Sequence, residues 1–188
     1  MPELLLDGIM DQLGSEGVAS IANSLGADEG SVKTAVAAAL PAIIAAMAKN
    51  SQDSAGAASL STALDDHSPS IFGQLGELIG GGGDGAAILG HVLGGRQPKV
   101  EQNISQQSGL DIGLIMKLLP ILAPLVMGYL SKEKEQQGLD AGSLPGVLEE
   151  ERQAEEQRQP GLGGLAAILD ADGDGSIIDD VIGKITGK

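Results

Sequence analysis

The 188 residues contain no cysteine and no tryptophan, and the aromatic side chains are Phe72 and Tyr129 alone. Without cysteine there is no disulfide framework, no thiolate metal site and no cysteine nucleophile. With so few rings, a core has to be built from Leu, Ile, Val, Ala and Met. Positive charge is scarce too: Lys and Arg total 11 against 26 for Asp and Glu, a formal net charge of −15. Such a field repels phosphate and anionic headgroups, so nucleic acid is not expected as a partner. The chain has no G-x-S-x-G, no P-loop and no H-E-x-x-H, so no catalytic constellation can be named and no enzymatic activity is expected. No stretch alternates with period two over a strand's length. The N-terminal MPELLLDGIMDQLG places Glu3, Asp7 and Asp11 where a signal peptide would be apolar, which makes cytoplasmic residence the default expectation, with export by another route left open.

What the chain has in abundance is glycine, 29 residues of it, between short apolar segments of helical period. Leu4, Leu5, Leu6, Ile9, Met10 and Leu13 recur at three- and four-residue steps up to Gly14, and Val18, Ala19, Ile21, Ala22 and Leu25 do so up to Gly26. Asp28 is placed to cap a helix whose stripe is Val32, Ala35, Val36, Ala39, Leu40, Ile43, Ile44 and Met47, with a bend or split expected at Pro41. ASLSTALDDH, IFGQLGELIG and AAILGHVLGG follow as shorter segments, with a glycine hinge at 80–83, and Pro98 is suited to a helix's first turn.

Ile112 to Leu130 is the longest apolar run, broken only by Lys117. Its charge-free part, Leu118 to Leu130, is shorter than the roughly 20 residues a bilayer crossing needs and contains Pro120 and Pro124, so a buried core helix is expected rather than a membrane span. The Glu/Gln-rich stretch 135–160 is expected to be a linker with helical tendency.

An internal duplication organises these pieces. Gly26 and Gly109 stand 83 residues apart, and the same offset carries Pro41 onto Pro124 without a gap and places an apolar residue on every stripe position: Ile115, Leu118, Leu119, Leu122, Ala123, Val126, Met127 and Leu130. Large residues in one copy stand where small ones do in the other, as at Leu118 and Ala35 or Leu122 and Ala39. The expectation is an all-α, multihelical protein of two pseudo-repeated modules with long proline-containing core helices packed about a pseudo-twofold axis. The modules are residues 1–83 and 84–134, with 161–188 completing the second after the linker.

Three motifs are candidates for function. Ala22, Gly26 and Val32, repeated as Ser105, Gly109 and Ile115, have helix-turn-helix spacing. The helices that follow offer Glu29, Gly30, Lys33 and Thr34, or Ile112, Gly113, Met116 and Lys117, with no Arg, Asn or Gln cluster to read base edges. A DNA-associated regulator is therefore the weaker alternative to an architectural use. Asp170-Ala171-Asp172-Gly173-Asp174-Gly175-Ser176 matches the first half of a calcium loop. Val181 occupies the position of the bidentate glutamate, while Asp179 and Asp180 fall just before it. The readings are a weak Ca²⁺ site formed by Asp170, Asp172, Asp174, Ser176, Asp179 and Asp180, or an acidic helix start in which Ser176 and Asp179 form a capping box. The related Asp65-Asp66-His67 has too few ligands and reads as a cap. Finally, the run from Gly80 to Gly85 fits G-x-G-x-x-G only formally, because no strand precedes it. His67 and His91 are isolated; an enzyme using either would need a pocket that supplies a carboxylate.

In their order, LPAIIAAMAKN, ALDDHSPSIFGQL, DGAAILGHVLGG, LAPLVMGYL and LDADGDGSIIDDVIG resemble the bacterial YidB-like family, of unknown function. The resemblance implies an all-helical fold and carries no activity or catalytic residue to transfer. The functional expectation is a non-catalytic interaction or self-assembly protein that meets protein partners, including copies of itself, through helix faces, with calcium as a modulator.

Overall fold

Local signals place the helix boundaries. In the computed structural model, residues 5–67 and 69–158 are described, and within them every regular element is a helix. Helix α1 (Leu5–Leu25) is broken at Gly14, whose φ of 60° and ψ of −179° are non-helical, where the sequence predicts two segments. α2 spans Glu29–Asn50 and α7 spans Ile112–Gln137. Between them lie α3 (Ser54–Asp66), a 3-10 turn at Pro69–Gln74, α4 (Leu75–Ile79), α5 (Gly85–Val92), a 3-10 turn at Gly94–Arg96 and α6 (Gln97–Ser108). α8 (Leu144–Arg158) follows α7.

The two corners with the expected duplicate spacing are built alike. Gly26 and Gly109 adopt φ of 64° and 73°, the left-handed turn that costs glycine least. Each is followed two residues later by an aspartate whose carboxylate accepts from the next helix: Asp28 from Ser31 N at 2.9 Å and Asp111 from Gly113 N at 2.8 Å. All sixteen stripe residues of α2 and α7 are at most 2% exposed. These two helices pack on each other, and none of Pro41, Pro120 and Pro124 splits its helix. α1, α3, α5 and α6 also pack on both.

Both α2 and α7 are long and apolar enough to cross a membrane, with mean hydropathy of 1.7 and 1.8 over their most apolar windows, but 72% and 67% of those windows are buried within the molecule. The alanine-rich α2 is thus nearly as apolar as the leucine-rich α7, because short alkyl side chains still carry positive hydropathy.

One buried cluster runs from Leu5 to Leu148 and takes in both expected modules. The stretch expected as a linker forms α8 over 144–158 and lies along α2. Leu144 and Leu148 are 1% and 0% exposed. Two leucines at helical spacing are too few to mark an amphipathic helix in the sequence, and the apolar surface of α2 supplies the rest. The turn with Asp170, Asp172, Asp174, Ser176, Asp179 and Asp180, and the segments on either side of it, lie outside the described residues.

Candidate functional site

A cleft of about 1060 Å³ opens between α3, α5 and the C-terminal end of α2. Met47, Leu60, Ala63, Ile88 and Met127 are among its apolar lining residues, and Lys49, Asp53, Asp66, His67, Asp84, His91 and Arg96 are its charged or titratable ones. Both histidines of the chain line it.

Capping interactions shape the walls. Asp53 starts α3, its carboxylate accepting from Gly56 N at 2.7 Å. Asn50, the last residue of α2, donates through Nδ2 to the carbonyls of His91 and Val92 at 3.1 and 2.9 Å. These are carbonyls at the end of α5, which lack helical donors. Arg96 Nη2 donates in turn to Asn50 Oδ1 at 3.3 Å, and Arg96 Nε donates to the Leu93 carbonyl at 3.4 Å. One amide thus joins the ends of α2 and α5. Sequence reasoning missed Asn50 and Arg96; the available signal was a polar residue at the end of one helix and an arginine two residues before Pro98.

His67 ends α3 and bridges to α5. Its Nδ1 lies 2.6 Å from the Ala63 carbonyl, which can only accept, so Nδ1 carries the proton. Nε2 lies 3.2 Å from Asp84 Oδ2. Asp84 stands at the start of α5 but makes no side-chain capping bond there; its carboxylate faces His67 instead. On the other side of α3, Lys134 of α7 donates to Asp65 Oδ1 at 2.6 Å and to the Ser61 carbonyl at 2.9 Å. The end of α3 is therefore held to α5 by His67 and to α7 by Lys134. Asp65 and Asp66 are the last residues of α3 and start no helix; His67 follows them at the C-terminal end, where its backbone N–H donates to the Leu64 carbonyl.

The cleft brings together a histidine and a carboxylate, the pairing an enzyme reading requires. His67 meets the Ala63 carbonyl through Nδ1 and the Asp84 carboxylate through Nε2. His91 lines the cleft as an exposed side chain. Among the described residues, no group of three or more His, Cys, Asp or Glu side chains is placed to hold a metal ion.

At the two helix-turn-helix-like corners, Ala22, Val32 and Ile115 are buried, as an architectural role requires. Glu29, Gly30, Lys33 and Thr34 are exposed on α2. On α7 the large exposed apolar residues are Ile112 and Met116, at 43% and 54%. The glycine run leads from α4 into α5, and its last member sits against α7, where a Cβ on Gly85 would lie 1.8 Å from the Pro120 carbonyl oxygen. That contact gives the last glycine of the run a packing role.

No curated protein and no solved structure matches the chain. Residues 7–133, from the first turn of α1 to near the end of α7, match a family described as bacterial protein of unknown function. That match takes in both capped corners, both core helices and the whole cleft, and by it the chain belongs to the bacterial family of unknown function DUF937.

Proposed function

We propose that the protein is a non-catalytic helical interaction module that self-associates by taking an apolar, acidic segment of a second copy into the cleft between α3 and α5. The observation that carries this reading is the cleft's combination of an apolar lining, which includes Met47 and Met127, with charged residues of both signs. Thioether side chains adapt to irregular surfaces, and helix-in-groove recognition uses an apolar floor with a polar edge. The volume, about 1060 Å³, exceeds the usual range for small-molecule sites and suits several residues of peptide. Charge supports a second copy as occupant. The chain as a whole carries −15 with its histidines counted neutral, whereas in the cleft Lys49 and Arg96 offset two of the three carboxylates Asp53, Asp66 and Asp84. An acidic segment is repelled less there than by the average surface.

Light scattering and sedimentation over micromolar to millimolar concentration test the proposal. Ala87, an exposed residue lining the cleft, can be enlarged without disturbing the core. Wild type is expected to associate with rising concentration. Ala87→Trp is expected to weaken association tenfold or more while leaving the melting temperature within about 2 °C. A wild-type chain that stays monomeric throughout, or one that associates equally well with Ala87→Trp, rules the proposal out.

Calcium modulation rests on the Asp170-to-Asp180 pattern in the sequence. Millimolar Ca²⁺, the range for weak loops of this kind, is expected to raise the melting temperature of wild type but not of Asp172→Ala or Asp174→Ala. A calorimetric titration without heat would remove calcium from the account. Kinship with YidB-like proteins is a narrower grouping proposed from the motifs. DNA association is the weaker reading, since the exposed starts of α2 and α7 offer Glu29, Ile112 and Met116 where base-reading side chains would stand.

A further inference from the structure

α8 begins beyond residue 133, where the family match ends, yet it lies along α2, one of the two central helices. The buried residues of its inner face run Leu144, Leu148, Glu151 and Glu155, so half of the stripe that holds it down is carboxylate. Glu151 is 6% and Glu155 3% exposed. Glu151 Oε1 accepts from the backbone N–H of Leu6 in the first turn of α1, at 3.2 Å. Both oxygens of Glu155 are buried and make no hydrogen bond among the described residues. Arg158 Nη1 lies 3.8 Å from Glu155, but the same nitrogen is bonded to Asp7 at 2.7 Å. The charged groups acting on Glu151 are Glu155 from α8 and Asp7 from α1, and those acting on Glu155 are Arg158 from α8 and Asp7; among the described residues α2 and α3, also packed on α8, contribute none.

A buried carboxyl without a full set of donors is tolerated as the neutral acid and strongly disfavoured as the anion. We propose that α8 is a releasable cover over α2, docked while Glu151 and Glu155 are protonated and let go as they ionise, which uncovers the apolar face of α2 beneath. Leu144 and Leu148 supply the grip, the two carboxyls supply the release, and residues 138–143 tether the cover in either state.

The direction of the pH effect follows from proton affinity. Burial pushes the Glu151 carboxyl up to about 7 from an ordinary 4.5, with the neighbouring Glu155 and Asp7 adding to the effect against the Leu6 N–H; burial raises Glu155 as well. The docked state therefore binds protons more tightly than the released state. Docking is strongest at low pH and weakens as the pH rises from about 4.5 to about 7.

Amide hydrogen exchange on the full chain between pH 5 and pH 7.5, corrected for intrinsic exchange rates, tests the inference, with α7 as internal reference. Protection of α8 and of the α2 amides beneath it is expected to fall tenfold or more relative to α7 as the pH rises. The double variant Glu151→Gln, Glu155→Gln is expected to lose this pH dependence. A constant ratio of α8 to α7 protection in wild type would overturn the inference, as would an undiminished pH dependence in the double variant. If the double variant does not fold, the wild-type series decides the question alone. None of these outcomes depends on the cleft or on self-association.

Discussion

Replacing Gly85 by alanine is expected to destabilise the protein by about 3 kcal/mol, at the upper end of overpacking effects, and to lower its melting temperature by about 10 °C. The cause lies in α7. Pro124 has no N–H, so the Pro120 carbonyl four residues earlier lacks its helical donor. The backbone of α5 closes on that carbonyl: a Cβ at Gly85 would lie 1.8 Å from the Pro120 oxygen, 2.7 Å from its carbonyl carbon and 3.0 Å from its Cα. All three are backbone atoms of a buried helix, and relief would require α5 and α7 to move apart through Ile88, Leu89, Leu122 and Pro124. Gly8→Ala is the useful comparison. A Cβ there would lie 1.8 Å from the Tyr129 hydroxyl oxygen and 2.3 Å from its ring carbon Cζ, side-chain atoms rather than backbone ones. Its cost is expected to be less than half that of Gly85→Ala in thermal or urea unfolding followed by circular dichroism. Equal costs would mean that backbone rigidity is not what makes Gly85 necessary.

Leu122→Ala is expected to cost a similar amount, about 3 kcal/mol, from the methylene groups removed and the cavity left behind. Leu122 is 0% exposed, in the helix that packs on α2. Ala39, 83 residues earlier at the matching position of the α2 stripe, is also 0% exposed. Ala39→Leu alone is expected to overpack the core by about 2 kcal/mol. If the large and small positions of the two copies complement each other across the interface, the double variant recovers at least about 1 kcal/mol relative to the sum of the single changes. Strict additivity in urea titrations would leave the cavity cost intact but remove the pseudo-twofold complementarity.

The sequence was most informative where structure follows from neighbouring residues. Asp28 and Asp111 act as caps, Gly14 breaks α1 and Pro98 enters the first turn of α6 because a cap or a breaker works over three or four residues. The buried stripes were legible for the same reason: helical period alone decides which side chains share a face. The cleft was not legible in this way. His67 and Asp84 are 17 residues apart, and Asn50 reaches the end of α5 from 41 and 42 positions away. No local pattern encodes such pairings; they exist because α2 and α7 hold α3 and α5 at a fixed separation.

α8 marks the boundary between the two kinds of information. By itself LEEERQAEEQRQ is a solvated segment, rich in Glu and Gln. Composition by itself determined the absence of disulfides and thiolate chemistry and the strong negative field, and residue spacing determined the helical class and the corners at Gly26 and Gly109. Only the tertiary structure decided that Glu151 and Glu155 are buried, that α5 touches the carbonyl left free by Pro124 and that both histidines line one cleft. The physical reason is that helix formation needs contacts within a turn or two, whereas burial and the proton affinity of a carboxyl are set by whichever surface the folded chain brings against it.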